Sequence, residues 1–141
     1  MTMLVRVDPR YPGVWDDLVG YLADGLDYGG GSKDWDAGDI YDAACKGAVA
    51  LWAIISHERV IGSVVTTMTT YPRRQVLEVL VMGADRGSEP HWRECLSQLA
   101  DLARASGASA IIGTGRPGWA RKLGAEERRV FELPITEDTE A

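Results

Sequence analysis

Cysteine, basic residues and long apolar runs are all scarce in this sequence, and each scarcity closes a class of function. There are two cysteines in 141 residues. Cys45 and Cys95 lie far apart in apolar helical contexts, without metal-type spacing, so they read as reduced packing thiols and not as a disulfide or a zinc site. Fifteen Lys and Arg stand against 21 Asp and Glu, a net charge of −6 with a pI near 4.9. Nonspecific nucleic-acid binding needs clustered cations to neutralise phosphates, and this balance argues against it. No apolar run approaches the ~20 residues of a membrane span. The N-terminus lacks the basic-plus-apolar signature of a secretion signal. The expectation is a cytoplasmic protein with no membrane partner and no metal. The length fits one domain with a real core, and neither an internal repeat nor a low-complexity segment is visible.

What is present is centred on the stretch from Val76 to Trp119. Val76-Leu77-Glu78-Val79-Leu80-Val81-Met82 is almost continuously apolar, as in a strand buried on both faces. Gly83-Ala84-Asp85-Arg86-Gly87-Ser88 reads as a loop. A helix is expected from Ser88 or Glu89, with Ser88 as cap and Pro90 in the first turn, where a missing N–H costs nothing. Trp92, Cys95, Leu96, Leu99, Leu102 and Ala103 recur at helical spacing and form a face turned to a sheet. Gly107 suits a helix stop, and Ala108 to Gly113 forms the next strand. A strand–helix–strand of this length implies a right-handed parallel crossover. Its ligand site is expected past the strand carboxyl ends, where Gly83–Ser88 meets Thr114–Trp119.

The remaining elements follow in order. Met3–Val7 reads as a short strand, and a helix with Val14, Leu18, Tyr21 and Leu22 on one face runs to about Asp24. Gly25 to Gly38, with its glycine triplet, reads as a surface loop or a substrate-contacting lid, Trp35 favouring the latter. A short helix from Asp39, as cap, to Lys46 precedes three antiparallel strands, near Ala48–Ile55, Val60–Tyr71 and Val76–Met82. Gly118–Leu123 predicts a short helix and Glu127–Leu133 a last strand. Residues 1–134 would form one domain and 135–141 an acidic tail.

Several of these segments carry a family resemblance. Leu51-Trp52-Ala53-Ile54, Val60-Ile61-Gly62-Ser63-Val64-Val65-Thr66, Tyr71-Pro72, the helix around Trp92, and Gly115-Arg116-Pro117-Gly118-Trp119-Ala120-Arg121-Lys122-Leu123 resemble the small GNAT-like proteins of the N-acetyltransferase superfamily encoded by bacteriophages. The likeness covers roughly Asp39 to Leu133. It implies an α+β domain: a mixed, mostly antiparallel sheet, helices on both faces, and a splayed parallel strand pair. For active members it implies acyl transfer from acetyl-coenzyme A to an amine.

The resemblance also assigns places for the chemistry. Coenzyme pyrophosphate would sit on backbone amides between the fourth strand and the next helix. Here Gly83, Arg86, Gly87 and Ser88 hold that place, with a spacing that departs from the family motif and with Asp85 adding a like charge. Glu78 is the candidate base that takes a proton from the amine; the alternative is a carboxylate turned to solvent or paired with an arginine. The tyrosine that protonates the leaving thiolate would fall on Ala120, so Tyr71 or water must substitute. Arg116 and Trp119, read from their own positions, line the same cleft as an anion-binding cation and a stacking ring, or else form an ion pair and a core plug. His91 is either a surface residue or a phosphate donor. Two readings therefore stand: an N-acyltransferase with an acyl-coenzyme A donor and an amine acceptor, or a pseudoenzyme serving as a virion or host-interaction component with a phage or host protein partner.

Overall fold

The computed structural model describes residues 1–29, 31–114, 119–128 and 130–136; the side chains of Glu89, Pro90 and Trp119 lie outside that description. Strands β1 (Thr2–Val7), β2 (Ala50–Ser56), β3 (Arg59–Tyr71), β4 (Arg74–Ala84) and β5 (Ala110–Gly113) form one sheet in sequence order. The first four pair antiparallel, and β4 pairs parallel with β5, Val76 opposite Ala110 and Val79 opposite Gly113. The parallel crossover expected from the apolar run, the amphipathic helix and the second apolar run is therefore present. Helices α1 (Val14–Gly29) and α2 (Ala37–Cys45) cover one face of this α+β domain, and α3 (Glu89–Ala105) covers the other. A short α4 (Trp119–Leu123) follows β5. Among the described residues no helix is long and apolar enough to cross a membrane.

The two faces have separate cores. Leu18, Leu22 and Leu26 of α1 and Ile40 of α2 bury against Leu51, Ala53, Val65 and Val81. On the other side Cys95, Leu99 and Ala103 of α3 bury against Ile54, Val64 and Leu77. Burial pushes the Cys95 thiol up to about 11, with the nearby Glu94 charge adding to the effect, which suits a packing residue. The fully buried face is narrower than the expected one, with Cys95, Leu99 and Ala103 at its centre. Trp92, Leu96 and Leu102 are half-buried, and the buried line runs 95–99–103.

The helix has a second task. The outer edge of β1 has no strand partner among the described residues, and α3 satisfies its first half with side chains. The Thr2 amide donates to Glu94 Oε2 at 2.6 Å and the Leu4 amide to Gln98 Oε1 at 2.8 Å, while Gln98 Nε2 donates to the Thr2 carbonyl at 2.8 Å. His91 Nδ1 meets Thr2 Oγ1 at 2.6 Å, so the imidazole belongs to this seam and not to a phosphate site. Covering the Thr2 and Leu4 groups in this way blunts that part of the edge against pairing with another strand.

Four expectations are corrected. Helix α1 continues to Gly29, so residues 25–29 are not loop; Gly31–Lys33 is a 3₁₀ turn. Leu26 buries in the core and Trp35 packs against it, which anchors the connection. Asp36, not Asp39, caps α2; Asp39 returns the bond from the third helical position, completing a capping box. Ser88 precedes α3 as expected, but its hydroxyl makes no capping bond, because its backbone is helical (φ −82°, ψ −2°) where a capping residue is usually extended. The segment from Glu127 to Leu133 forms no strand among its described residues. Val130, Phe131 and Leu133 are exposed there, so its β-forming composition finds no sheet partner.

Candidate functional site

The site grows from one irregularity in β4. Val81 lies opposite Val65 and Val79 opposite Thr66, which leaves Leu80 as an extra residue, a β-bulge. Below the bulge, residues 76–79 pair with both β3 and β5. Above it, residues 81–84 pair with β3 alone. The bulge twists β4 away just where the four-residue β5 ends, so the parallel pair opens and leaves an edge of β4 without a strand partner among the described residues. That edge extends about 13 Å from Leu80 to Ala84 at ordinary strand rise.

The strand outruns its expected end at Met82, because Gly83 and Ala84 continue it. A Cβ on Gly83 would lie 2.0 Å from the Tyr21 carbonyl oxygen, and one on Gly25 would lie 2.6 Å from the Met82 carbonyl oxygen. The glycines let α1 lie directly on β4 at the splay. Gly83→Ala must push that helix away, and we expect it to lower stability by about 1–3 kcal/mol, as overpacking does. Urea unfolding measures this; a variant as stable as the wild type would show that α1 does not press on the strand there.

Beyond Ala84 the chain turns tightly. The Asp85 amide donates to the Ile61 carbonyl at 2.8 Å and the Ser88 amide to the Asp85 carbonyl at 3.2 Å, with Gly87 at φ +78°. Nothing lies within 4 Å of where a Gly87 Cβ would be, so the glycine is there for its backbone conformation and its outer side is open. The Arg86 and Gly87 amides have no backbone partner among the described residues, and the Arg86 side chain is exposed beside the N-terminus of α3. Free amides, a helix N-terminus and a guanidinium together suit an anion. Asp85 is held on the other side: its carboxylate accepts from the Tyr21 hydroxyl at 2.9 Å. Partial burial and this bond keep the Tyr21 phenol protonated above its ordinary range.

Glu78 lies below the bulge. Leu77 and Val79 join the clusters under α3, so Glu78 projects from the opposite face, the side of α1 and α2. It is half-buried, level with Thr67 on β3 and Ile112 on β5. Thr69 Oγ1 donates to its Oε2 at 3.1 Å, and no arginine pairs with it among the described residues. Tyr71 is not brought to it. That residue ends β3 opposite Arg74, four positions beyond the partner of Glu78, or about 13 Å along the strand. Arg116 and the Trp119 ring lie outside the described residues. Gly83, Arg86, Gly87 and Ser88 are contiguous at the open end of β4, and Tyr21, missed in the sequence because it reads as core, joins them.

No protein-family model and no curated sequence matches this chain. Solved structures do match. The ribosomal-protein-alanine N-acetyltransferase of Brucella melitensis biovar Abortus 2308 superposes with a TM-score of 0.70 at 14% identity, over 96% of this chain and 99% of that one. An aminoglycoside acetyltransferase from an uncultured soil metagenomic sample, solved with sisomicin, gives 0.69 at 8% identity over 96% and 97%. An integron cassette protein from the mobile metagenome of V. cholerae gives 0.62 at 18% identity over 96% and 92%. At such identities the likeness is one of architecture: the chain has the GNAT acetyltransferase fold, with its antiparallel sheet opened by a bulge at the single parallel pair.

Proposed function

We propose that this protein is an N-acyltransferase that takes an acyl group from acetyl-coenzyme A, or a related acyl-coenzyme A, and passes it to an amine. The observation that carries this reading is the unpaired edge of β4, which has an anion-suited turn at one end and a carboxylate just below the other. Coenzyme A is long, with its phosphates at one end and its thioester at the other, and an edge of this kind suits such a molecule. Bound there, it supplies an acyl group already activated as a thioester.

The chain's own residues do the rest. Gly87 shapes the turn, and the Arg86 and Gly87 amides with the Arg86 guanidinium hold the pyrophosphate, aided by the dipole of α3. Ser88 closes that turn. Glu78 accepts the proton that an ammonium must lose before its nitrogen can attack, and Thr69 fixes one carboxylate oxygen so that the other is presented. Arg116 and Trp119, next after β5 in sequence, would contribute a cation and a ring to the same ligand in this reading. Ala120 occupies the place the resemblance gives to the acid, and Tyr71 sits at a distant hairpin, so water is the remaining proton donor.

Ala120 is also what favours the second reading, a phage-encoded protein of this fold that has given up catalysis for an interaction role. Thermal unfolding with acetyl-coenzyme A separates the two. A ligand at a hundredfold excess over its Kd stabilises by ~2.7 kcal/mol, an upward shift on the order of 5–10 °C for a domain of this size. We expect such a shift at millimolar acetyl-coenzyme A. An unchanged midpoint would remove the acyltransferase reading and leave the interaction role.

A further inference from the structure

The sheet ends on a strand that is not covered. β5 reads Ala-Ile-Ile-Gly, and an apolar strand in a parallel pairing is ordinarily closed on both faces. Here no residue of β5 is buried, and Ile111 and Ile112, which point to opposite faces, are both only half-buried. On its inner side β5 pairs with β4; its outer edge has no strand partner among the described residues. The backbone groups of that edge are a template for one more strand.

The same chain carries a strand-forming segment that has joined nothing. Val130, Phe131, Leu133 and Ile135 are 68–92% exposed, four large apolar side chains in solvent within six residues. Their placement follows from how α4 ends. Gly124 takes φ +68°, its amide donates to the Arg121 carbonyl at 3.2 Å, and the Ala125 amide donates to the Ala120 carbonyl at 2.8 Å. This ordered stop sets the direction in which the chain leaves the helix. Further on, Glu132 Oε2 accepts from Lys33 Nζ at 3.2 Å, on the 3₁₀ turn that follows α1. Within one chain the segment is thus led to that turn and not to β5. Both partners of the contact are exposed, so the tether is weak.

We propose that two copies of this chain associate by exchanging residues 130–135, each laying them as a sixth strand on the outer edge of the other's β5. Alternation puts Phe131, Leu133 and Ile135 on one face of that strand and Val130 on the other. Each face of β5 has an isoleucine to receive them. Backbone groups alternate in the same way, toward β5 and away from it. With residues 131, 133 and 135 turned to β5, Pro134, which has no N–H to give, faces outward together with Glu132. The new edge then carries a proline and a charge, which resist a further strand, and the exchange closes at two copies. Fully covered, the four side chains hide roughly 100 Å² apiece. Taken over both copies, with the surface that covers them, this is about 1,600 Å², the usual size of a stable interface. The inference concerns assembly and does not depend on acyl transfer.

Light scattering of the full chain during size-exclusion chromatography, at up to about 200 μM, tests it. We expect a dimer of the 15.4 kDa chain. Phe131→Asp with Leu133→Asp should weaken it by about a hundredfold or more, because two charges would then face apolar surface. Both side chains are exposed in the single chain, so this variant keeps its fold. Tyr11→Asp, at an exposed ring elsewhere, should leave the dimer as it is. Amide hydrogen exchange locates the contact: the outward amides of residues 110–113 should exchange about tenfold faster in the double variant than in the wild type. A wild type that stays monomeric overturns the proposal, whether its own segment lies on β5 or in solvent. So does a dimer that the double variant leaves intact, one that Tyr11→Asp breaks equally, or one in which β5 exchanges alike in both proteins.

Discussion

Leu99→Ala should lower the free energy of unfolding by about 2–5 kcal/mol, the range for truncating a large side chain in a closed core. Leu99 is 2% exposed and sits in one cluster with Leu77 of β4 and Ala103 of its own helix, with Leu4, Val79, Leu102 and Ile111 packed around them. It is therefore where α3 meets β1, β4 and β5 together. Rigid strands on three sides cannot collapse into the space a lost isobutyl group leaves, which puts the loss toward the upper part of the range. Denaturant unfolding with an unchanged m-value reads it directly. A loss below about 0.5 kcal/mol would mean that α3 does not face the sheet through Leu99 at all. Leu102→Ala, at a half-buried position on the flank of the same helix, should cost less.

That helix shows how much of the fold was legible. Its existence, its limits and its buried residues Cys95, Leu99 and Ala103 followed from the spacing of apolar side chains. Its polar seam did not: α3 also closes the edge of β1 with His91, Glu94 and Gln98, and hydrophobic periodicity is blind to polar contacts made for packing. The parallel β4–β5 pair was legible because an apolar run, a helix of seventeen residues and a second apolar run leave few other connections. The extent of α1 was not. Gly25 and the aspartates around it carry the composition of a loop, yet Gly25 is there so that the helix can touch the Met82 carbonyl. Gly83 misled in the same way, since close approach and turn formation both call for glycine. The turn itself, Asp85 to Ser88 with Gly87 at positive φ, lies where the sequence put the candidate anion site. The bulge at Leu80 that opens the sheet had no sequence signal, because it depends on where β3 and β4 agree to slip. The exposed Val130–Leu133 stretch marks the opposite failure, strand-forming residues with no strand to join.

Glu78→Gln is the substitution expected to have the largest effect on activity. Once an amine supports turnover, measured by release of free thiol from acetyl-coenzyme A, we expect kcat to fall by about 10²–10⁴, the contribution of a positioned general base. Glutamine keeps the volume of the side chain and its carbonyl oxygen can still accept the Thr69 hydroxyl, so the strand contact at 3.1 Å survives while the proton acceptor is lost. Stability should hardly change, since Glu78 has no ion-pair partner among the described residues and sits half-buried at the sheet face. Thermal stabilisation by acetyl-coenzyme A should also survive, because the turn at Arg86 and Gly87 lies at the other end of the open edge. The combination is diagnostic: the donor still binds, the fold is intact, and the amine is no longer deprotonated. Raising the acceptor's free-base fraction with a less basic amine should recover part of the loss in the variant but change the wild type little. If kcat for Glu78→Gln stays within about threefold of wild type, well short of a general base's contribution, Glu78 is a strand residue and the amine loses its proton to water.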